Sequence, residues 1–151
     1  MTNARILIVD DEPALLEALP EALRLRLAEL AVETCDSARD ALGKIADEDY
    51  DTIVTDIKMP GMDGLALLDE IQRMRPDTPT ILITGHGEHD LAVQALRRGA
   101  YDYIQKPIDR DYFTASLTRA IERRGLARRI EVQRLELEHQ SHVLEHVGDG
   151  V

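Results

Sequence analysis

The polar residues of this chain with the most chemical potential stand where short apolar runs end. Ile6-Leu7-Ile8-Val9 leads into Asp10-Asp11, and Thr52-Ile53-Val54-Thr55 leads into Asp56. Ile81-Leu82-Ile83 leads into Thr84-Gly85, and Tyr103-Ile104 is followed by Gln105-Lys106-Pro107. Clustered carboxylates suit a hard divalent cation, which prefers oxygen ligands. A lysine and a hydroxyl beside them suit a phosphoryl group. Taken singly, these residues have plainer explanations. Asp10-Asp11 could cap a helix opening at Glu12-Pro13, although capping needs only one acid. An isolated Lys106 would be a solvated surface residue, but its place just past a buried run and before Pro107 argues otherwise.

Positioning these groups together requires parallel strands whose carboxyl ends share one edge, the edge at which open α/β sheets bind ligands. Strand-type and helix-type periodicities alternate along the chain, which predicts βα units around a parallel sheet. Strands are expected at about 5–9, 31–35, 51–55, 80–84 and 101–104, and helices at about 13–28, 37–47, 64–75, 88–98 and 109–147. Apolar faces are legible in Leu15, Leu19, Leu23 and Leu27 of the first helix and in Leu65, Leu68 and Ile71 of the third. Ser37 and Asp63 are expected N-caps. Pro20 falls inside the first helix, where proline typically costs about 3 kcal/mol. The apolar spacing continues across it, so a kink near Leu16 is expected rather than two helices.

Composition bounds the function classes. The 151 residues fit one ordinary domain and an appendage, and an apolar share of 44% with one Phe, four Tyr and no Trp predicts an aliphatic core. No run is long and apolar enough to span a bilayer. Met1-Thr2-Asn3 leads into the first strand without a signal-peptide pattern, and the single Cys35 cannot form an internal disulfide, so a cytoplasmic location is expected. Residues 1–109 hold 11 Lys and Arg against 22 Asp and Glu, whereas residues 110–151 hold 7 against 7. An acidic body repels nucleic acid, so direct DNA binding is not expected. All but three of the acids are expected to be solvated helix faces.

The order and spacing of Asp10, Asp11, Asp56, Thr84 and Lys106 at strand ends resemble the receiver (response-regulator) domain of two-component signalling, over residues 4 to 121. The resemblance implies an α/β fold, a doubly wound five-stranded parallel sheet of flavodoxin or CheY-like type in strand order 2-1-3-4-5. It implies Asp56 as the residue that takes a phosphoryl group from a histidine kinase or phosphotransfer domain, without being an enzyme in the ordinary sense. Mg²⁺ would be held by Asp11 and Asp56, by Asp10 through a water, and by the backbone carbonyl of Lys58. Lys106 would pair with the phosphoryl oxygens and be followed by a cis bond to Pro107. Thr84 and Tyr103 would form the switch, with Tyr101 the weaker aromatic candidate, and Lys58 and His86 occupy positions that tune phosphoryl lifetime. The main enzymatic alternative is a Mg²⁺-dependent phosphatase of the haloacid-dehalogenase class, which wants a second Asp where this chain has Lys58. A flavin-binding protein is weaker, because no Ser/Thr/Gly phosphate loop follows the first strand.

The last helix runs on past the receiver. Ile130, Leu137 and Leu144 recur every seven residues, interleaved with Leu126, Gln133, Gln140 and Val147, with Gly125 as the sole breaker. This predicts a coiled-coil linker over 122–147 that pairs two copies, its two polar d positions weakening it or specifying its register. The alternative is an amphipathic tail packed back on the domain. His139, His142 and His146 share a helix face, but no Cys or clustered carboxylate accompanies them, so exposed histidines are the expectation rather than a metal site. The run from Thr84-Gly85-His86-Gly87 through Lys106-Pro107 is similar to receivers of the nitrogen-regulatory class. Residues 148–151, with the helix before them, resemble the opening of a PAS sensor domain. A receiver with its signalling helix, cut from a longer sensor or hybrid kinase, is therefore expected, with a stand-alone dimerising regulator as the alternative.

Overall fold

A computed structural model describes residues 4–27 and 29–149, the side chains of 138–149 excepted. Five strands and five helices alternate: β1 (Ala4–Val9), α1 (Pro13–Arg26), β2 (Leu30–Cys35), α2 (Ala38–Asp47), β3 (Thr52–Asp56), α3 (Gly64–Met74), β4 (Thr80–Thr84), α4 (His89–Arg97), β5 (Asp102–Gln105) and α5 (Arg110–Asp149). All pairings are parallel, in the order β2-β1-β3-β4-β5. The chain has the doubly wound, flavodoxin-like architecture expected of it.

The period-2 alternation of each strand builds a core on both faces. Ile6 and Ile8, Val54, Ile81 and Ile83, and Ile104 point to one face, where Leu19 and Leu23 of α1 and Phe113 and Leu117 of α5 cover them. Leu7, Val9 and Ile53 point to the other, under Ala41 and Ile45 of α2 and Leu67 and Ile71 of α3. On that second side Ile57, Leu68 and Leu82 pack with Ala95 of α4, and Tyr103 lies against them. Burying both faces explains why β3 and β4 read as unbroken apolar runs, and their residues are buried throughout.

Ser37 accepts from the Asp40 N–H at 3.2 Å and Asp63 from the Ala66 N–H at 2.9 Å, so both expected N-caps form. Pro13 takes the first turn of α1, and α1 continues through Pro20 as one helix, with Pro20 buried. Helix α3 begins tight against β3. The Gly64 N–H donates to Ile57 O at 2.7 Å, and a Cβ on Gly64 would overlap Asp56 O and stand 2.7 Å from Ile57 Cα.

Helix α5 passes Gly125 without a break and runs to Asp149, two residues beyond the expected end. Its first turns are buried through Phe113, Leu117 and Ala120, whereas Leu126, Ile130 and Leu137 are exposed. Between them Arg124 and Arg128 reach back to the loop before β3, Arg124 to Asp49 at 3.1 Å and Arg128 to Asp49 at 2.7 Å and to Asp51 at 2.5 Å. Leu144 and the three histidines fall among the residues whose side chains are not described. Of the PAS-like opening, Gly148 and Asp149 are still helical, and Gly150 and Val151 lie outside the described residues. The expectation that all but three acids are merely solvated needs correcting. Asp51 is 8% exposed and also accepts from the Arg5 N–H at 2.7 Å. Asp102 accepts from Ser116 at 2.7 Å and from Tyr112, tying β5 to α5. Donors from distant segments converge on these acids, which no local pattern reveals.

Candidate functional site

Each candidate residue stands where its strand runs out. Asp10 follows β1, Asp56 ends β3, Thr84 ends β4 and Lys106 follows β5. Parallel register aligns these ends. Asp56 pairs with Ile83, the Ile57 N–H donates to Ile83 O at 3.0 Å, and the Lys106 N–H donates to Thr84 O at 2.8 Å. Asp10, Asp56 and Thr84 are buried, with 0%, 6% and 2% of their surface exposed, whereas Asp11 is exposed at the rim. Carboxylate oxygens of Asp10, Asp11 and Asp56 lie within 4.8 Å of one another. The Lys106 Nζ stands 3.6 Å from Asp56 Oδ1. The Lys106–Pro107 bond is cis, as the resemblance implies.

The electrostatics are those of a site short of positive charge. Burial, then the neighbouring Asp10 carboxylate, push the Asp56 carboxyl up to about 6, against the opposing pull of Lys106. Burial likewise raises Asp10, while the Glu12 N–H bonded to its Oδ1 at 2.9 Å and the Lys106 charge work the other way. Asp10 Oδ2 is buried with no hydrogen-bond donor among the described residues. A buried anionic oxygen left without a partner is costly, and such atoms normally have one. A hard divalent cation at the three carboxylates would supply it, so the donor set fits Mg²⁺. Neither Asp10 nor Asp11 caps α1: its N-cap is Glu12, with no side-chain capping bond, and among the described residues Asp10 Oδ1 accepts only from the N–H of Glu12 itself.

Thr84 lies at the end of β4 with Gly85 beside it, and Tyr103 is half-buried, packed against the cluster that includes Leu82 and Ala95. Beside Tyr103 a cavity of about 310 Å³ is lined by Ile104, Gln105, Asp109 and Tyr112. Tyr101 is also half-buried, but it belongs to the cluster on the opposite face of the sheet, with Arg123 5.4 Å above its ring. Lys58 and His86 are exposed at the rim. One participant escapes sequence reasoning. Glu88, only 12% exposed in its side chain, accepts from the Gly85 N–H at 2.6 Å and pairs with Lys58 at 3.6 Å. An acid at the start of a helix is ordinarily a cap or a complement to the helix dipole, so nothing in the sequence marks it as facing the site.

Comparison with known proteins identifies the family. Residues 6–118 match the response regulator receiver domain family. The chain is 42% identical over 142 residues to the C4-dicarboxylate transport transcriptional regulatory protein DctD of Pseudomonas aeruginosa, which covers 93% of this chain and 30% of that protein. It is 39% identical over 121 residues to the DNA-binding transcriptional regulator NtrC of Escherichia coli, covering 80% of this chain and 25% of that one. The chain thus spans under a third of these relatives. Among solved structures, a response regulator receiver domain protein from Clostridium thermocellum superposes with a TM-score of 0.77 at 32% identity, covering 82% of this chain and 98% of that one. NtrX from Brucella abortus gives 0.78 at 38% identity, over 86% and 29%. The phosphatase alternative finds no support, since Lys58 stands where its second Asp is needed and the relatives are regulators. The match over most of the chain, this fold and these relatives make the chain a member of the receiver domain family of two-component response regulators.

Proposed function

We propose that Asp56 is the phosphoacceptor of this receiver and that Lys106, Thr84, Asp10 and Asp11 are its working partners. The observation that supports this best is the buried Asp56 carboxylate, 3.6 Å from Lys106 and grouped with two further carboxylates at one sheet edge. An Asp56 oxygen attacks the phosphorus of the donor, the bond from phosphorus to the donor's imidazole nitrogen breaks, and the freed imidazole keeps the electron pair. Asp10, Asp11, Asp56 and the Lys58 carbonyl would hold Mg²⁺, which would supply the positive charge that lets the two anions meet. Lys106 holds the phosphoryl oxygens by a charge-assisted bond. The Thr84 hydroxyl turns toward them, and Tyr103, half-buried now, moves inward and alters the surface made by α4, β5 and α5.

Phosphate is taken up stoichiometrically, so the chain acts as a switch with at most slow self-dephosphorylation. Its donor is a histidine kinase or phosphotransfer domain in the cytoplasm. Residues 1–121 form the receiver and 122–147 a linker whose exposed Leu126, Ile130 and Leu137 pair with a second copy, so that phosphorylation changes dimer or linker geometry. The acidic body favours protein partners over direct contact with DNA. The test is incubation with acetyl phosphate followed by intact mass. One phosphoryl group should be added to wild type with Mg²⁺ and none to Asp56→Asn or in EDTA. Full modification of Asp56→Asn would overturn the assignment.

A further inference from the structure

Glu88 is placed at some electrostatic cost. Its carboxylate is largely buried and adds to the repulsion that disfavours ionised Asp56. It is the N-cap residue of α4, yet its side chain makes no capping bond. Instead it folds back three residues to the Gly85 N–H at 2.6 Å, with its other oxygen 3.6 Å from Lys58. Gly85 immediately follows Thr84, and a Cβ there would stand 3.3 Å from Glu88 Oε1, so the carboxylate sits close over the backbone. A backbone N–H and an ammonium beside a phosphoacceptor are donors for an incoming anion. Here an internal anion already holds both.

We propose that Glu88 is a built-in competitor of the phosphoryl group. In the unphosphorylated protein it occupies the Gly85 N–H and Lys58, and phosphorylation displaces it from both. The inference rests on Asp56 being the acceptor. Displacement follows from charge: phosphorylation turns the single charge of ionised Asp56 into about two, at an edge that already carries Asp10, Asp11 and Glu88, and the Gly85 N–H and the Lys58 ammonium that Glu88 holds are donors that can join Lys106 and Thr84 in answering it. Because α4 starts at the next residue and carries Leu91 and Ala95 against the cluster that includes Tyr103, releasing Glu88 also frees the start of α4. Glu88 thus sets the threshold for phosphorylation and links it to the surface that changes.

Titration of the full chain with beryllofluoride at saturating Mg²⁺ tests this, with the Gly85 amide followed by NMR. Glu88→Ala should bind the phosphoryl mimic roughly tenfold more tightly than wild type, the scale of one hydrogen bond to a charged group. Glu88→Gln, which keeps the shape and one acceptor, should show part of that gain. In wild type the Gly85 amide should shift on titration, and in Glu88→Ala, which lacks its acceptor, it should start from a different position than in wild type. Unchanged or weaker binding in both variants, or a wild-type Gly85 amide that does not respond, overturns the proposal. Failure of the Asp56 assignment looks different: Asp56→Asn would then still take up phosphate from acetyl phosphate, whatever Glu88 does.

Discussion

Replacing Asp56 with Asn should make the metal-free protein more stable at neutral pH, against the usual trend for buried substitutions. The Asp56 carboxyl is raised from an ordinary 3.8 to about 6, first by burial and then by Asp10. Between those two values the folded state binds the proton more tightly than the unfolded chain, so stability falls as pH rises. Below about pH 4 both states are protonated and the penalty is absent. Above about pH 6 it is complete, and at 1.36 kcal/mol per pH unit it amounts to about 3 kcal/mol on the ionised form. Asparagine carries no such penalty. The ion pair with Lys106 is already contained in that net shift, and burying the amide with incomplete hydrogen bonding costs about 1 kcal/mol. The net gain for Asp56→Asn in EDTA near neutral pH is therefore about 2 kcal/mol, or roughly 4–8 °C in Tm for a chain of this size. Urea unfolding of both proteins in EDTA, at several pH values from about 4 to 8, measures it. The gap should open across that range and close again when Mg²⁺ is added, because the cation stabilises ionised Asp56. Equal stability near neutral pH, or a gap that does not depend on pH, would refute the electrostatic reasoning.

Gly64→Ala should cost at least about 2 kcal/mol, since its Cβ meets Asp56 O and Ile57 Cα, both backbone. It should also slow uptake of phosphate from acetyl phosphate by moving Asp56, so stability and rate fall together. Leu137→Asp, at a residue 65% exposed on α5, should weaken self-association by roughly tenfold or more by placing a charge in an apolar seam. Sedimentation checks this, and a wild type that stays monomeric at high concentration would count against pairing. Thr84→Ala should leave modification of Asp56 largely intact while removing the change in dimer affinity on beryllofluoride addition. Equal responses in mutant and wild type would exclude Thr84 as the relay.

The alternation of strands and helices is legible in the sequence alone, and so is the delivery of polar groups at the ends of four of the five strands, β1, β3, β4 and β5. Those follow from local patterns: unbroken apolar runs in β3 and β4, Ser37 and Asp63 as caps, Pro13 opening α1. Element boundaries agree to within about two residues, and Pro20 sits in a helix that stays whole. The five candidate residues came together because parallel register brings strand ends to one edge regardless of what loops separate them. Tertiary structure alone decided what lies between elements. Glu88 faces the site only because α4 begins beside the end of β4, and its partners are a backbone N–H and a lysine thirty residues earlier. Gly64 must be glycine because α3 starts against the carbonyl of Asp56. The direction of α5 is held by Arg124 and Arg128 on Asp49 and Asp51, more than seventy residues away. Such contacts depend on distances in space between charges and atoms, and sequence periodicity reports only which face a residue occupies.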